Sequence, residues 1–170
     1  KKPPILFLEN VKNLKSHDKG NTWKYIEKSI SDRGYEIFSS VMDASNWVPQ
    51  HRERIFIVCF DKSIFANNRK IQFCFPSIPS KRKYNLNYVL EKNPNKKYML
   101  SDKLWRYLQD YAAKHKAKGN GFGYGLADKN GITRTMSARY HKDGAEILIK
   151  QDGWENPRRL TPNEAKYLMG

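Results

Sequence analysis

The sequence predicts an α/β domain with a largely parallel sheet over residues 1–76, followed by an irregular domain of mixed structure over residues 77–170. Three observations carry this prediction. Within WVPQHRERIFIVCF, the six residues Ile55 to Phe60 are apolar without a break, the pattern of a strand buried on both faces. The segments around it run strand, helix, strand, strand, which suits a sheet with helices laid against it. After Cys74 the chain turns rich in Pro, Asn and Lys, as in PSIPSKRKYNLNYV and EKNPNKKYM, and a boundary near residue 76 follows.

Ile5 to Leu8 follows two prolines as a short strand ending at Glu9. Asn21 to Arg33 reads as a helix, because Trp23, Ile26 and Ile30 recur on one face and Gly34 supplies the stop. Tyr35 to Met42 and Arg54 to Phe60 read as the next strands. Beyond the boundary Ser101 can cap a helix whose apolar stripe is Leu104, Trp105, Leu108, Tyr111 and Ala112. Lys114, Lys116 and Lys118 load its last turns, where cations suit the dipole; the cluster serves as well for phosphate contact. GNGFGYG leaves a basic helix instead of a strand, so it is not a nucleotide loop but an extended stretch where backbone passes close to something. ITRTMSARYHKDGAEILI reads as a hairpin turning at Lys142-Asp143-Gly144. In RRLTPNEAKYLMG, Thr161 as N-cap, Pro162 at N1 and Glu164 at N3 form a capping box.

Composition narrows the function. The 170 residues hold 32 Lys and Arg against 17 Asp and Glu, a formal net charge of +15. The excess is uneven: Lys1 to Phe60 has 10 basic and 7 acidic residues, Ser77 to Gly119 has 11 and 3. A basic zone interleaved with aromatic rings points to a polyanion, most often nucleic acid. Cys59 and Cys74 both read as buried small hydrophobes, there is no Cys-x-x-Cys pair, and the four histidines lack metal-ligand spacing. No metal site and no membrane span are expected, and the start at KKPPILFLEN without an initiator Met reads as a piece of a longer protein. Gln50, Arg52 and Arg54 at the mouth of an apolar strand pose the sharpest question, since arginines beside a core must be paired or face a ligand.

Three stretches, in this order, resemble motifs of the cytosine-5 DNA methyltransferases. FLENVKNL resembles the Glu-Asn-Val motif, QHRER the Gln-x-Arg-x-Arg motif, and RRLTPNEAKYLMG the ninth motif of that family. KGNGFGYGL and TRTMSARYHKDGAEILI resemble the recognition region of its bacterial Dcm-like branch. The likeness covers nearly the whole chain, with residues 61–100 the least distinctive. It implies that residues 1–76 are the second half of a Rossmann-like methyltransferase domain. Residues 77–170 would then be a target-recognition domain that ends in the start of its scaffolding helix.

The resemblance also implies roles. Such enzymes flip a cytosine from the duplex and attack its C6 with a cysteine thiolate, using S-adenosylmethionine as methyl donor. Glu9 matches the glutamate that hydrogen-bonds or protonates N3, and Arg54 the arginine at O2; both would stabilise charge developing on the ring. Arg52 matches the other motif arginine, orienting Glu9 or holding phosphate, while Asn10 and Gln50 shape the pocket and Val11 is a structural residue of its motif. Arg159, Thr161 and Glu164 belong to the ninth motif as structural residues. Thr135-Met136 stands where the family often has Thr-Leu, and Arg134, Thr135, Arg139, Tyr140, His141 and Lys142 are the candidates for contact with DNA. Read from the residues alone, Glu9 is a solvated or capping carboxylate and Arg52 with Glu53 a surface pair.

Departures bound the expectation. The family's Phe-x-Gly-x-Gly cofactor loop, its Pro-Cys-Gln nucleophile loop and its final Gly-Asn-x-Val segment are absent, and neither cysteine here follows Pro or precedes Gln. This chain by itself is therefore expected to be inactive, with no nucleophile cysteine and most of the cofactor pocket elsewhere. The full-length enzyme is expected to be a monomer in the bacterial cytoplasm, associated with the nucleoid, in a restriction-modification or Dcm-like system. Its target is expected to be a short palindrome of the CCGG or CCNGG type. A tRNA-methylating relative and a non-catalytic DNA-binding module are the alternatives.

Overall fold

The apolar run forms the middle strand of a three-stranded sheet in a computed structural model that describes residues 2–66, 70–79, 81 and 83–170. Ser80 and Arg82 of the basic zone, and Lys1, lie outside the described residues. Strand β1 (Ile5–Val11) and strand β2 (Tyr35–Asp43) flank β3 (Glu53–Asp61), and helix α1 (Asn21–Ser31) joins the two outer strands. All three strands are longer at their ends than the sequence suggests, and β1 continues past Glu9 to Val11.

The expected parallel sheet is corrected. β3 is antiparallel to both neighbours, with Glu9 opposite Phe56, Val11 opposite Arg54 and Met42 opposite Arg54. Only segment 44–52 joins β2 to β3, and a parallel return needs a crossover of a dozen residues or more. An unbroken apolar run reports burial on both faces and says nothing about direction. Ile55, Ile57 and Cys59 point to one face, where Trp23 and Ile30 of α1 cover them with Tyr35 and Leu6. The other face carries Phe38, Phe60 and Phe73, with ring centroids 5.4–5.9 Å apart. Phe73 turns to that cluster, and Cys74 beside it is exposed where a buried thiol was expected.

Gly34, at φ 84°, closes α1 with its N–H on the Ser31 carbonyl at 2.8 Å, a left-handed conformation that suits glycine. Asp61 ends β3 and caps α2 (Lys62–Phe65) by accepting from the Ser63 N–H at 2.9 Å. The ammonium of Lys2, 2.8 Å away, and the Ser63 hydroxyl draw the Asp61 carboxyl down to about 2 from its usual 3.8. A folded-state value below the unfolded one stabilises at higher pH, and that contribution is lost as pH falls from about 4 to about 2. Acid titration of the fold is expected to show a component in this window that Asp61→Asn removes.

Two compact units divide the chain, one of Lys1–Asp43 with Glu53–Ile78, the other of Ala44–Arg52 with Pro79–Gly170. The loop preceding β3 therefore folds with the second unit. That unit has a core of Leu86, Val89, Tyr140, Ile147, Ile149, Leu160 and Leu168, tied by isolated bridges such as Ile149 to Arg158 and Leu126 to Leu148. Helix α3 (Asp102–Ala117) is capped by the Ser101 hydroxyl, which accepts from the Leu104 N–H at 3.3 Å. The expected hairpin over 132–149 is not formed: a single turn, α4 (Tyr140–Asp143), stands where its turn was placed. Tyr140 explains this, because its ring sits in the core and pulls the chain into a turn instead of an extended strand. Helix α5 (Pro162–Met169) starts at the capping box read from the sequence.

The glycine stretch passes close to backbone, as its composition suggests. A Cβ at Gly125 would lie 2.3 Å from the Glu146 carbonyl oxygen, because Gly125 exchanges hydrogen bonds with Ala145 and Leu148 at 2.8 and 2.7 Å. Gly125→Ala is expected to destabilise the second unit by about 1–3 kcal/mol, as overpacked interiors do, read as a lowered urea midpoint.

Candidate active site

β1 and β3 position the first pair of functional side chains. Glu9 is opposite Phe56, and Arg54 lies two residues along β3, so both point to the same face as diagonal neighbours. The Arg54 Nε donates to Glu9 Oε1 at 2.8 Å, with Arg54 largely covered and Glu9 45% exposed. Arg54 also donates from Nη1 to the Glu53 carbonyl at 2.8 Å, and Lys12 pairs with Glu53 next to it. The arginine beside the core is thus paired, with the one carboxylate that β1 presents on that face. Asn10 accepts from the Val11 N–H at 2.8 Å, which turns its amide to its own backbone, and Val11 is exposed opposite Arg54.

Gln50, His51 and Arg52 belong to the second unit and are fixed within it. Gln50 is buried, accepting from the Met136 N–H at 2.9 Å and donating to the Leu168 carbonyl at 3.0 Å. His51 donates its N–H to the Thr133 carbonyl at 2.9 Å, and the Arg52 carbonyl accepts from the Ala44 N–H at 3.0 Å.

The DNA-facing candidates separate into two kinds. Arg134, His141 and Lys142 are exposed, and Arg139 is exposed while paired with Asp143 at 2.8 Å. Thr135 is half-buried, its hydroxyl donating to the His51 carbonyl at 2.7 Å. Tyr140 is a correction. It is a core residue whose hydroxyl donates to the Ile147 carbonyl at 2.6 Å and accepts from the Leu160 N–H at 2.8 Å. Burial pushes its phenol up to about 12, so it stays neutral and inaccessible. A tyrosine among basic residues looks like a surface contact until its hydroxyl is traced.

The ninth-motif residues scaffold this unit. Thr161 and Glu164 close the capping box, and Glu164 also accepts from the Glu91 N–H at 2.8 Å. Arg159 donates from Nη1 to the Lys142 carbonyl at 3.3 Å. Sequence reasoning misses Arg158, which forms a bidentate pair with Glu164 at 2.7 and 2.8 Å with both side chains fully buried. The signal was the Arg-Arg pair ahead of a capping box, but nothing local says which arginine turns inward.

Cys59 lies inside the sheet, and burial pushes its thiol up. Among the described residues no cluster of three or more His, Cys, Asp or Glu could hold a metal ion, and no helix is long and apolar enough to cross a membrane.

A family model for C-5 cytosine-specific DNA methylases matches residues 1–170. The chain is 46% identical over 172 residues to the Type II methyltransferase M.SsoII of Shigella sonnei, covering 100% of this chain and 44% of that protein. It is 40% identical over 202 residues to the DNA-cytosine methyltransferase of Escherichia coli K12, covering 100% of this chain and 42% of the relative. The chain thus spans less than half the length of these two curated relatives. The crystal structure of S. pombe Dnmt2 methyltransferase shares the fold, with a TM-score of 0.70 at 14% identity over 100% of this chain and 55% of that one. The Entamoeba histolytica methyltransferase EhMeth does so at 0.65 and 20%, over 99% and 51%.

Proposed function

This chain belongs to the C-5 cytosine-specific DNA methylase family, and from that premise we propose that its full-length protein methylates C5 of a cytosine flipped out of duplex DNA. The observation that carries the reading is the Glu9–Arg54 pair, 2.8 Å apart on one face of the sheet. Cytosine offers on its reading edge an acceptor at O2, a basic nitrogen at N3 and a donor at N4. A guanidinium beside a carboxyl group meets that edge in kind: Arg54 donates to O2, and Glu9 holds a proton at N3 while accepting from N4. Negative charge grows at N3 and O2 when C6 is attacked, so both contacts strengthen towards the transition state. Asn10 shapes the base pocket at the end of β1, with Val11 a structural residue of the same motif, and Arg52 is the second arginine of its motif, placed to hold phosphate.

S-adenosylmethionine supplies the electrophilic methyl group when bound. The glycine stretch is not its cradle, since the spaces beside Gly123 and Gly125 are filled by Ala112 and Glu146. No residue of this chain is assigned to it.

Residues 1–76 serve as part of the Rossmann-like catalytic domain and residues 77–170 as the target-recognition domain. Arg134, Arg139, His141 and Lys142 face DNA, consistent with a site of action at the bacterial nucleoid. The likeness of GNGFGYGL and ARYHKDGAEIL to Dcm-like recognition regions supports a palindrome of the CCGG or CCNGG type. Bisulfite sequencing of DNA from cells expressing the full-length protein is expected to place methylated cytosines in such sites; methylation confined to other contexts would reject the assignment.

A further inference from the structure

We infer that Gln50 is a positioning residue whose amide joins the Thr133–Met136 segment to the loop that carries Arg52, so that the backbones of Arg134 and Arg52 are set by one lattice. The inference rests on the methyltransferase reading above. Gln50 is fully buried, yet both ends of its amide are used. Its Oε1 accepts from the Met136 N–H at 2.9 Å, and its Nε2 donates to the Leu168 carbonyl at 3.0 Å and lies 3.4 Å from the Met169 sulfur. Three segments far apart in sequence meet at this one side chain: the loop before β3, residues 133–136 and the end of α5.

The backbone around it forms a short parallel lattice. The Thr133 N–H donates to the Pro49 carbonyl at 2.9 Å, and the His51 N–H donates to the Thr133 carbonyl at 2.9 Å. The Thr135 hydroxyl closes the lattice on the His51 carbonyl at 2.7 Å. Arg52 and Arg134 are therefore each the immediate chain neighbour of a residue held in this lattice. An apolar side chain at position 50 would fill the same space, but it would not dictate which backbone group stands opposite. An amide with one donor end and one acceptor end does, because any other register leaves a buried polar group unpaired. When Arg134 settles against a base edge, the backbone of Arg52 is set by the same lattice.

The test uses the full-length protein with Gln50→Met, which keeps length and burial but removes the donor and the acceptor. Methyl transfer at the target site is expected to fall on the order of a hundredfold, as misplacement of a catalytic group does. The ratio of rates on the target and on a duplex altered at one base pair should fall about tenfold, while duplex affinity moves by less than about threefold. Should Gln50→Met not fold, Thr135→Val decides. It removes only the hydroxyl tie to His51 and should lower the same ratio, and Thr135→Ser should restore it. Unchanged rate and ratio in Gln50→Met, or in Thr135→Val, would overturn the inference. A folded wild-type protein that methylates no duplex cytosine would overturn the functional reading itself, and this inference with it.

Discussion

Glu9→Gln in the full-length protein is expected to slow methyl transfer by about 10²–10⁴-fold while duplex binding stays close to wild type, the signature of losing a general acid. Glutamine keeps the length and a hydrogen bond to the base, but it cannot supply a proton to N3. The structure adds a second consequence. Glu9 neutralises Arg54 at 2.8 Å, and Arg54 is largely covered. Removing the carboxylate leaves that guanidinium short of its counter-charge, so the variant should also show a small loss of stability. Arg54→Ala differs in kind: it should lower both the rate and the grip on the flipped base, because the contact at O2 exists before and during the reaction. Single-turnover methyl transfer beside duplex-binding titrations separates the two effects. Wild-type turnover in Glu9→Gln would remove Glu9 from the chemistry.

The largest effect on stability is expected at Arg158. Its guanidinium donates Nη1 and Nη2 to the two oxygens of Glu164 at 2.7 and 2.8 Å, and its Nε to Gln151 at 3.0 Å, with no solvent exposure on either charged side chain. Glu164 in turn accepts from the backbone N–H of Thr161 and of Glu91, both at 2.8 Å. Arg158→Met strands the carboxylate in the interior and is expected to cost about 3–5 kcal/mol, the range for breaking one side of a buried pair. Replacing both partners by apolar residues removes the stranded charge and should cost less than the single change. Urea unfolding of the single and double variants reads this directly. A double variant that costs as much as Arg158→Met, or more, would contradict the account of a coupled buried pair.

These results mark which parts of the molecule were legible in the sequence. The caps at Ser101 and Thr161 and the stop at Gly34 depend on residues a few positions away, and each lies where the sequence puts it. The sequence places Glu9 and Arg54 at strand ends, but names Arg52 as the partner of Glu9; the Glu9–Arg54 pair comes from the diagonal register of the sheet. Strand direction was not legible, because the length of loop 44–52, and not the apolar run, decides it. Tyr140 and Cys74 are misread for one reason. Side-chain direction in segments without helical or strand period is set by distant partners, here Ile147 with Leu160 and the Phe73 cluster. Gln50 reads as a pocket residue from its motif, and only the lattice with Thr133 and Met136 reveals its buried partners.

Nucleoside analysis of duplex DNA incubated with the full-length protein and labelled S-adenosylmethionine, with tRNA as the parallel substrate, shows which nucleic acid is methylated and at which atom. Label is expected in 5-methyldeoxycytidine from the duplex and not in tRNA. Label confined to tRNA, or in DNA at any position other than C5 of cytosine, would contradict it.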